Sequence, residues 1–333
     1  MVRIGINGFG RIGRCVFRIA RERADVQVVA VNDVADPKAL AYLLKFDTVM
    51  GRLDATVRLE GDVLRVGDET TKLLRESDPG RVPWGQLGAE VVVEATGVFK
   101  SREALTQHLN AGAPRVIVCV PPSEPLDATV VLGANEAVLT GDQRLISNAS
   151  CTTNCLAPLA KVLHDAFGID KALMTTVHAY TNDQRLAEMA DASDPRISRA
   201  AAENIIPTTT GAAKAVSVVL PELRGRLDGL AMRVPIPNGS TVDLVAEMQT
   251  SVTVEEVNDV VRRAAEGPLQ GIIEYCTDPV VSSDIIGNPH SCIFDSALTQ
   301  VTGSRLLRVV AWYDNEWGYS SRVVDLAERL VRL

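Results

Sequence analysis

The stretch Val2–Gly13, VRIGINGFGRIG, decides the fold of this chain. An apolar strand comes first, and the pattern G-x-G-x-x-G follows at the point where an amphipathic segment begins. In a dinucleotide-binding turn Gly8 makes the tight bend, Gly10 lets the backbone approach a pyrophosphate, and Gly13 lets helix and strand pack closely. An ordinary strand-to-helix turn can carry the same glycines, but the position between strand and helix favours a dinucleotide site.

Asp33 narrows the choice of dinucleotide. It follows the second predicted strand, Val26–Asn32, and lies 20 residues after Gly13. A carboxylate at this position accepts hydrogen bonds from a ribose 2′-hydroxyl and repels a 2′-phosphate, so the sequence favours NAD over NADP. A helix cap or a turn would also use an aspartate here.

Apolar strands and amphipathic helices alternate through the first half of the chain. This alternation predicts a doubly wound parallel sheet of the Rossmann type in an α/β protein. The stretch Arg52–Leu74 has short alternating runs broken by glycine, and it predicts a hairpin-like insertion. The predicted strands are Val2–Asn7, Val26–Asn32, Val91–Glu94, Arg115–Val120 and Ala128–Leu132, and the predicted helices are Arg11–Arg23, Pro37–Leu44 and Ser101–Ala111.

The pattern changes near Ser147. Asp183–Ser198 is polar and aperiodic, which predicts a long surface loop. The other segments predict an α+β domain with a mostly antiparallel sheet and a terminal helix. The predicted helices are Cys151–Ala166 and Ser320–Leu333, and the predicted strands are Ala172–His178, Gly229–Pro235, Thr241–Met248 and Leu306–Tyr313.

The composition excludes several classes of protein. With 333 residues, 46% of them apolar, the chain can form two domains that each bury a core. A net charge of -8 argues against a general nucleic-acid binder, and no apolar run is long enough to suggest a membrane helix. There is no signal-peptide pattern, and dispersed cysteines indicate reduced thiols. We therefore expect a cytoplasmic protein with neither nucleic acid nor membrane as partner.

Cys151 is the strongest candidate for covalent chemistry. It lies at a predicted strand-to-helix junction, where the positive end of the helix would lower the pKa of the thiol. Cys155, one helical turn further, is more typical of a small buried residue, and the chain lacks the clustered ligands of a zinc site. A buried and inert thiol remains the alternative interpretation of Cys151.

The segment Ser147–Cys155, SNASCTTNC, resembles the active-site signature of glyceraldehyde-3-phosphate dehydrogenases. The resemblance covers essentially the whole chain. It implies an NAD-dependent homotetramer that converts glyceraldehyde 3-phosphate and inorganic phosphate into an acyl phosphate. The rival hypotheses are a relative acting on erythrose 4-phosphate and a binding protein that keeps the fold. The other segments that carry the resemblance are Ile4–Arg14, Thr175–Gln184, Ile206–Ala215 and Trp312–Ser320.

The resemblance also implies roles for individual residues. Cys151 is then the nucleophile and His178 its base, while Thr181 and Arg233 hold the phosphate of the aldehyde. Inorganic phosphate would be held by Ser150, Thr152, Thr210 and Gly211. NAD would be held by Gly8, Gly10, Arg11, Ile12, Gly13, Asp33, Thr96, Cys119, Asn315 and Tyr319, with Asn315 at the nicotinamide carboxamide.

The same resemblance implies an order of domains. We expect a Rossmann domain that binds NAD at residues 1–150 and a catalytic domain at residues 151–318. Residues 319–333 would form a C-terminal helix that packs back on the Rossmann domain.

Several residues near the expected active site depart from the family pattern. Ile197 stands where the family usually has the second arginine of a pair. The positive charge, the hydrogen-bond donors and the planar guanidinium group of that arginine are therefore all absent. Leu186–Ser193 lacks the usual Pro-His pair, Cys119 replaces a usual Ser or Thr, and Gly239 replaces a common Val. One hypothesis is neutral drift with local compensation. The other is a specialised copy, with altered phosphate handling or with a pocket that evades an electrophilic inhibitor of Cys151.

Overall fold

The computed structural model describes residues 1–191 and 194–333. This part of the chain divides into two compact units. The first consists of residues 1–130, 137–149 and 320–333, and the second of residues 131–136 and 150–319. Both ends of the chain therefore lie in the first unit.

The first unit is built on a mainly parallel sheet. Its strands are β1 (Val2–Asn7), β2 (Val26–Asn32), β3 (Val57–Glu60), β4 (Val63–Val66), β5 (Glu69–Leu74), β6 (Val91–Glu94), β7 (Arg115–Val118), β8 (Ala128–Thr129) and β9 (Leu145–Ser147). Its helices are α1 (Arg11–Arg21), α2 (Pro37–Lys45), α3 (Trp84–Leu87) and α4 (Arg102–Asn110).

Strand β1 marks the point where the order of this sheet reverses. The order is β3-β4-β5-β2-β1-β6-β7-β9-β8, and every pair from β5 to β8 is parallel. The chain leaves β1 for β2 on one side and later returns to β6 on the other. The carboxyl end of β1 therefore opens into the crevice where doubly wound sheets bind ligands. Strands β3, β4 and β5 pair antiparallel, so the predicted hairpin-like insertion extends one edge of the sheet.

The second unit is built on a sheet of mixed direction. Its helices are α5 (Cys151–Phe167), α6 (Ala212–Val219) and α7 (Val254–Glu266). Its strands are β10 (Ile169–Ala179), β11 (Ile206–Thr209), β12 (Leu227–Val234), β13 (Ser240–Met248), β14 (Ile273–Cys276), β15 (Cys292–Thr302) and β16 (Leu306–Tyr313). The order is β11-β12-β10-β13-β16-β15-β14, with β10–β12 and β14–β15 parallel and the other pairs antiparallel.

One face of the second sheet is covered by helices α5, α6 and α7. The other face presents large apolar side chains to solvent, because residues alternate sides along each strand. In β10, for example, Ala172 and Met174 are buried while Leu173 between them is exposed. We call this surface the open sheet face; its exposed apolar residues, placed on one side by the strand register, are Leu173, Leu230, Val245 and Leu306.

The last helix, α8 (Trp317–Arg332), returns the chain to the first unit. From Ser320 onward its residues group with that unit, and Val323, Leu326 and Leu330 are fully buried. Asp325 also forms an ion pair with Arg23, at 2.8 Å. Helix α8, near the end of the chain, is thus bound to a residue that follows α1, near its start.

The predicted fold class is confirmed, although several element bounds differ. Strands β7 and β8 end at Val118 and Thr129, earlier than predicted, because both pair with β9, which ends at Ser147. Helix α1 ends before the predicted Arg23 and α8 begins before the predicted Ser320. Among the described residues, the sequence analysis missed seven of these helices and strands: α3, α6, α7, β9, β11, β14 and β15.

The predicted loop Asp183–Ser198 contains one helical turn, Pro195–Ser198, in its described part. Ala192 and Ser193 lie outside the described residues. Among the helices that the structure describes, none is both long and apolar enough to cross a membrane.

Candidate active site

The three glycines of the β1–α1 turn occupy three different environments. Gly8 has φ +93°, and a Cβ there would lie 2.6 Å from the backbone nitrogen of Thr96. A Cβ on Gly13 would lie 2.1 Å from the carbonyl oxygen of Gly8, so the start of α1 packs directly on the turn. A Cβ on Gly10 would meet nothing within 4 Å. Gly8 and Gly13 are thus required by the fold, whereas Gly10 leaves open space for a ligand.

A cavity of about 380 Å³ opens beside this turn. Asp33 lies at its rim, and its carboxylate accepts hydrogen bonds from the backbone N–H groups of Phe9 at 2.6 Å and Ala35 at 2.9 Å. Asp33 therefore fixes the glycine turn as well as presenting negative charge to the cavity. The polar groups, the glycines and the acidic rim fit an NAD molecule without a 2′-phosphate. The lining includes Asn7, Gly8, Gly10, Asn32, Asp33 and Thr96.

A buried carboxylate that the sequence analysis missed supports this cavity. Glu94 accepts hydrogen bonds from the Asn7 side chain at 2.6 Å and from the Thr96 backbone N–H at 2.8 Å. His108 Nε2 lies 3.0 Å from the same carboxylate, and Trp84 Nε1 donates to His108 Nδ1 at 3.0 Å. Neutral His108 therefore carries its proton on Nε2 and donates it to Glu94. The only signal in the sequence is an acidic residue at the end of an apolar strand.

The other residues implied in NAD binding lie in different surroundings. Arg11 forms an ion pair with Asp47. Ile12 lies in the first turn of α1, and Cys119 is buried directly after β7. Asn315 and Tyr319 are buried residues of the second unit, where Asn315 Oδ1 accepts a hydrogen bond from Ser240 at 2.7 Å.

Cys151 is the first residue of α5. The preceding Ser150 caps the helix, since its hydroxyl accepts a hydrogen bond from the Thr153 N–H at 3.2 Å. Ala149 has φ 53°, a left-handed conformation that L-residues rarely adopt, and it turns the chain sharply into the helix. The Cys151 sulfur lies 3.4 Å from Nε2 of His178. The predicted nucleophile and the predicted base are thus in contact.

His178 and Arg233 are brought together by the parallel pairing of β10 and β12, in which they are register partners. Arg233 Nη1 lies 2.7 Å from His178 Nδ1 and 3.0 Å from the carbonyl oxygen of Ala179. His178 Nδ1 is itself 2.7 Å from that oxygen. Nδ1 thus lies between a donor, Arg233, and an acceptor, the Ala179 carbonyl. In the tautomer in which Nδ1 donates to Ala179, Arg233 donates to the same carbonyl and not to Nδ1, and the lone pair of Nε2 faces Cys151 and can accept its proton.

Burial and charge shift both ionisable groups of this pair. Burial, and next the charge of Arg233, lower the pKa of His178 to about 4, so its imidazole is neutral at pH 7. Burial raises the pKa of the Cys151 thiol, although Arg233 and the Thr152 N–H oppose that effect. The helix start does lower this pKa through the backbone N–H groups of Thr152 and Cys151, but desolvation of the thiolate outweighs their effect and the net pKa is raised. The thiol of Cys151 thus lies beside a neutral imidazole that is positioned to accept its proton.

The residues implied in anion binding lie on several segments of the second unit. Thr152 belongs to the first turn of α5, and Gly211 precedes α6 as its N-terminal cap. The Thr210 hydroxyl accepts a hydrogen bond from the Ala212 N–H at 3.2 Å. Thr181 follows β10, and its hydroxyl donates to the carboxylate of Asp183.

Two family models match the chain. One, described as the glyceraldehyde 3-phosphate dehydrogenase NAD binding domain, matches residues 2–102. The other, described as the C-terminal domain of glyceraldehyde 3-phosphate dehydrogenase, matches residues 150–315. The chain belongs to the glyceraldehyde-3-phosphate dehydrogenase family.

Individual members of the family match over nearly the whole chain. The glyceraldehyde-3-phosphate dehydrogenase of Mycobacterium leprae is 57% identical over 332 residues, which cover 98% of this chain and 97% of the relative. Glyceraldehyde-3-phosphate dehydrogenase 1 of Bacillus subtilis is 54% identical over 332 residues, with 99% and 98% covered. Glyceraldehyde-3-phosphate dehydrogenase 2 of Streptomyces avermitilis is 53% identical over 327 residues, with 98% and 97% covered. The predicted dehydrogenase activity and the use of NAD are confirmed.

Proposed function

We propose that this family member oxidises glyceraldehyde 3-phosphate and passes the acyl group to inorganic phosphate, with Cys151 as nucleophile and His178 as base. The observation that carries the assignment is the 3.4 Å contact between the Cys151 sulfur and His178 Nε2. A neutral imidazole held in this position can take the thiol proton at the moment the sulfur attacks.

The covalent steps follow from that contact. The Cys151 sulfur bonds to the aldehyde carbon while its proton passes to His178, which returns a proton to the carbonyl oxygen and so completes a hemithioacetal. NAD, when bound, supplies the acceptor for the hydride that leaves this carbon. His178 takes the hydroxyl proton in the same step, which leaves a thioester on Cys151. A phosphate oxygen then attacks the thioester carbon, the carbon–sulfur bond breaks, and the thiolate is protonated again by His178.

Arginine and hydroxyl groups would hold the two anions. Arg233 and Thr181 suit the phosphate of the aldehyde, because a guanidinium fork and a hydroxyl both donate to phosphate oxygens. Inorganic phosphate would lie near the starts of α5 and α6. There the donors are the hydroxyls of Ser150, Thr152 and Thr210 and the backbone of Gly211.

The proposal extends to the two units, to assembly and to location. The first unit would bind NAD at the cavity beside the β1–α1 turn. We further propose a homotetramer, because the open sheet face borders an apolar groove of about 1030 Å³ that a second copy would cover. A reducing compartment such as the cytoplasm would keep Cys151 as a thiol.

Replacement of Cys151 by serine tests the chemistry. We expect Cys151→Ser to lose NADH formation with glyceraldehyde 3-phosphate, because an alcohol is a far weaker nucleophile than a thiol, while NAD still binds with unchanged affinity. Cys276→Ser is the matched control, since Cys276 is a buried thiol that donates to the Asp278 carbonyl. Wild-type turnover in the Cys151 variant would refute the assignment. Turnover of erythrose 4-phosphate in the same assay measures the choice of aldehyde.

A further inference from the structure

The side chain of Glu94 connects the cavity beside the β1–α1 turn to the core of the first unit. It is fully buried, and each of its two carboxylate oxygens has two hydrogen-bond partners. One oxygen accepts from the backbone N–H and from the hydroxyl of Thr96. The other accepts from Asn7 Nδ2 at 2.6 Å and lies 3.0 Å from His108 Nε2. Thr96 and Asn7 line the cavity, whereas His108 lies behind it, fully buried on α4.

The backbone of Glu76 fixes the direction of the hydrogen bonds on the Asn7 side. Its N–H donates to Asn32 Oδ1 at 2.8 Å, and its carbonyl accepts from Asn32 Nδ2 at 2.9 Å. The Asn32 amide therefore has one orientation, in which Nδ2 also donates to Asn7 Oδ1 at 2.7 Å. Asn7 must then turn its own Nδ2 towards Glu94. Asn7 is thus a donor to the carboxylate because of a backbone segment on its far side.

Trp84 fixes the direction on the His108 side. An indole nitrogen can only donate, so His108 Nδ1 accepts from Trp84 Nε1 at 3.0 Å and the proton of the imidazole lies on Nε2. Every polar neighbour of Glu94 in the described part of the chain is therefore a donor. A protonated carboxyl group would turn its hydrogen towards another hydrogen, so Glu94 is a carboxylate. Loss of any one donor would leave a buried charge incompletely hydrogen-bonded, which costs free energy.

The cavity wall that follows β6 depends on these contacts. The Thr96 hydroxyl donates to Glu94 and accepts from the backbone N–H of Val98 at 3.1 Å, which fixes the turn after the strand. His108 supports the same wall directly, because the Phe99 ring packs edge-on against its imidazole, with 6.3 Å between the ring centroids and 89° between the planes. Thr96, Val98 and Phe99 all line the cavity.

We propose that His108 is a positioning residue for NAD. It lies outside the lining of the cavity, yet it holds Glu94 and Phe99 and, through them, the wall formed by residues 95–99. A wall that is already ordered leaves less conformational freedom to be lost when the dinucleotide binds, so the His108 contacts strengthen NAD binding. The inference rests on the proposed function, because it takes this cavity as the place where NAD binds.

Isothermal titration of the full chain with NAD tests the proposal. We expect His108→Phe to weaken NAD binding by about tenfold, because it keeps an aromatic ring beside Phe99 but removes a hydrogen bond to a buried charge. His108→Gln should bind NAD nearly as tightly as wild type, because its amide offers one acceptor to Trp84 and one donor to Glu94. Unchanged affinity in His108→Phe, or equal losses in the two variants, would overturn the proposal.

A stability control separates this role from a merely structural one. Leu105 is a fully buried residue of the same helix, three positions before His108. We expect Leu105→Ala to lower the melting temperature at least as much as His108→Phe does, because it leaves a cavity in the core, yet to leave the affinity for NAD unchanged. An equal loss of NAD affinity in Leu105→Ala would mean that destabilising α4 is sufficient, and would overturn the proposal.

Cys151 provides a readout in the other unit. The rate at which iodoacetamide alkylates Cys151, measured against pH without NAD, should follow the same profile in wild type and in His108→Phe. A shifted midpoint would mean that the substitution disturbs the whole chain, and would overturn the proposal.

A double-mutant cycle tests the path through Glu94. Glu94→Gln keeps the shape of the side chain but turns an NH₂ group towards donors, so it should weaken NAD binding by itself. If His108 acts through Glu94, His108→Phe should cause little further loss in the Glu94→Gln background, and additive losses would overturn the proposal. Glu94→Gln also serves if His108→Phe does not fold, and unchanged affinity in that variant would then be the contrary result.

Asp33→Ala distinguishes a failure of this inference from a failure of the proposed function. Asp33 lies at the rim of the cavity and is expected to contact NAD itself. If Asp33→Ala binds NAD as tightly as wild type does, NAD does not occupy this cavity and its proposed placement is wrong. If Asp33→Ala weakens NAD binding while His108→Phe does not, the placement stands and the role of His108 is refuted.

Discussion

Arg233 acts on both ionisable groups of the candidate site. Its charge lowers the pKa of His178 and also that of Cys151. Removing the charge should therefore raise both values, although His178 should stay below its ordinary pKa of about 6.5, because burial remains as the larger cause. An arriving phosphate that pairs with Arg233 would have a similar effect, and would make His178 a stronger base once substrate is bound.

We predict that Arg233→Gln moves the midpoint of Cys151 alkylation to higher pH. The sign follows from the charge: without a cation nearby the thiolate is less stable, so more alkaline solution is needed to form it. Arg226→Gln is the matched control. Arg226 directly precedes β12, the strand that carries Arg233, and its side chain donates to the backbone carbonyl of Ile169. An unchanged or lower midpoint in the Arg233 variant would contradict the prediction.

Ile197 offers a test of altered phosphate handling. It is half-buried in the turn Pro195–Ser198, between the exposed Arg196 and Arg199, and Arg199 pairs with Glu188 at 2.5 Å. We predict that Ile197→Arg lowers the KM for phosphate by about tenfold, the effect of one added charged hydrogen bond. Ile205→Arg controls for added charge, because Ile205 is an exposed isoleucine of the same region.

The two variants also separate the hypotheses about this loop. No gain in Ile197→Arg would mean either that Ile197 does not occupy the position of the missing arginine or that Arg196 or Arg199 already supplies its charge. Faster inactivation of Ile197→Arg than of wild type by an epoxide that alkylates Cys151 would favour an inhibitor-tolerant copy. Equal rates of inactivation would favour drift.

At the scale of single residues, the sequence predicted local features such as turns and helix starts. It did not predict the burial and electrostatic surroundings of a side chain. The spacing of Gly8, Gly13 and Asp33 is enough to predict the geometry of the dinucleotide-binding turn, because residues close together in the chain form both the turn and the helix. The pKa of Cys151 depends on burial by distant segments. The helix start was read correctly from Ser150, but the cost of desolvating the thiolate has no local signature.

The two glycines at the start of α1 have different roles: we expect Gly13 to matter for stability and Gly10 for NAD binding. We predict that Gly13→Ala lowers the free energy of unfolding by about 1–3 kcal/mol, because its Cβ would meet the Gly8 carbonyl oxygen at 2.1 Å. Gly10→Ala should leave the melting temperature unchanged, since its Cβ would meet nothing within 4 Å, yet it should weaken NAD binding by filling the space above the turn. Thermal melts and NAD titrations of both variants check this pair, and equal melting temperatures would contradict it.

At the level of elements, the sequence predicted where strands lie along the chain better than it predicted which strands pair with each other in the sheet. Strands β10 and β12 were both predicted, but their parallel pairing, which places Arg233 beside His178, depends on a crossover that no local pattern encodes. The sequence analysis missed helix α7, although the residues at its start form a recognisable sequence pattern. Thr253 and Glu256 form a capping box there, a pattern that marks helix beginnings in sequence.

The open sheet face makes assembly a property that can be measured on the whole molecule. We predict a sedimentation mass about four times the 35.8 kDa of one chain, and a smaller species for Val245→Asp, because a charge buried at an apolar interface is costly. Val281→Asp is the control, since Val281 is exposed outside this face. A wild-type mass near 35.8 kDa at micromolar protein would contradict the proposed tetramer.

Helix α8 has a consequence for how the chain is made. The first unit needs Ser320–Leu333, yet the ribosome translates these residues only after the whole of the second unit. While the second unit is being synthesised, for roughly 10 to 35 seconds at ordinary translation rates, the surface that will receive Val323, Leu326 and Leu330 stays exposed on the nascent chain. Domains usually fold in the order of their synthesis, but here the unit that emerges first can complete its fold only after the second unit and Ser320–Leu333 have both been made.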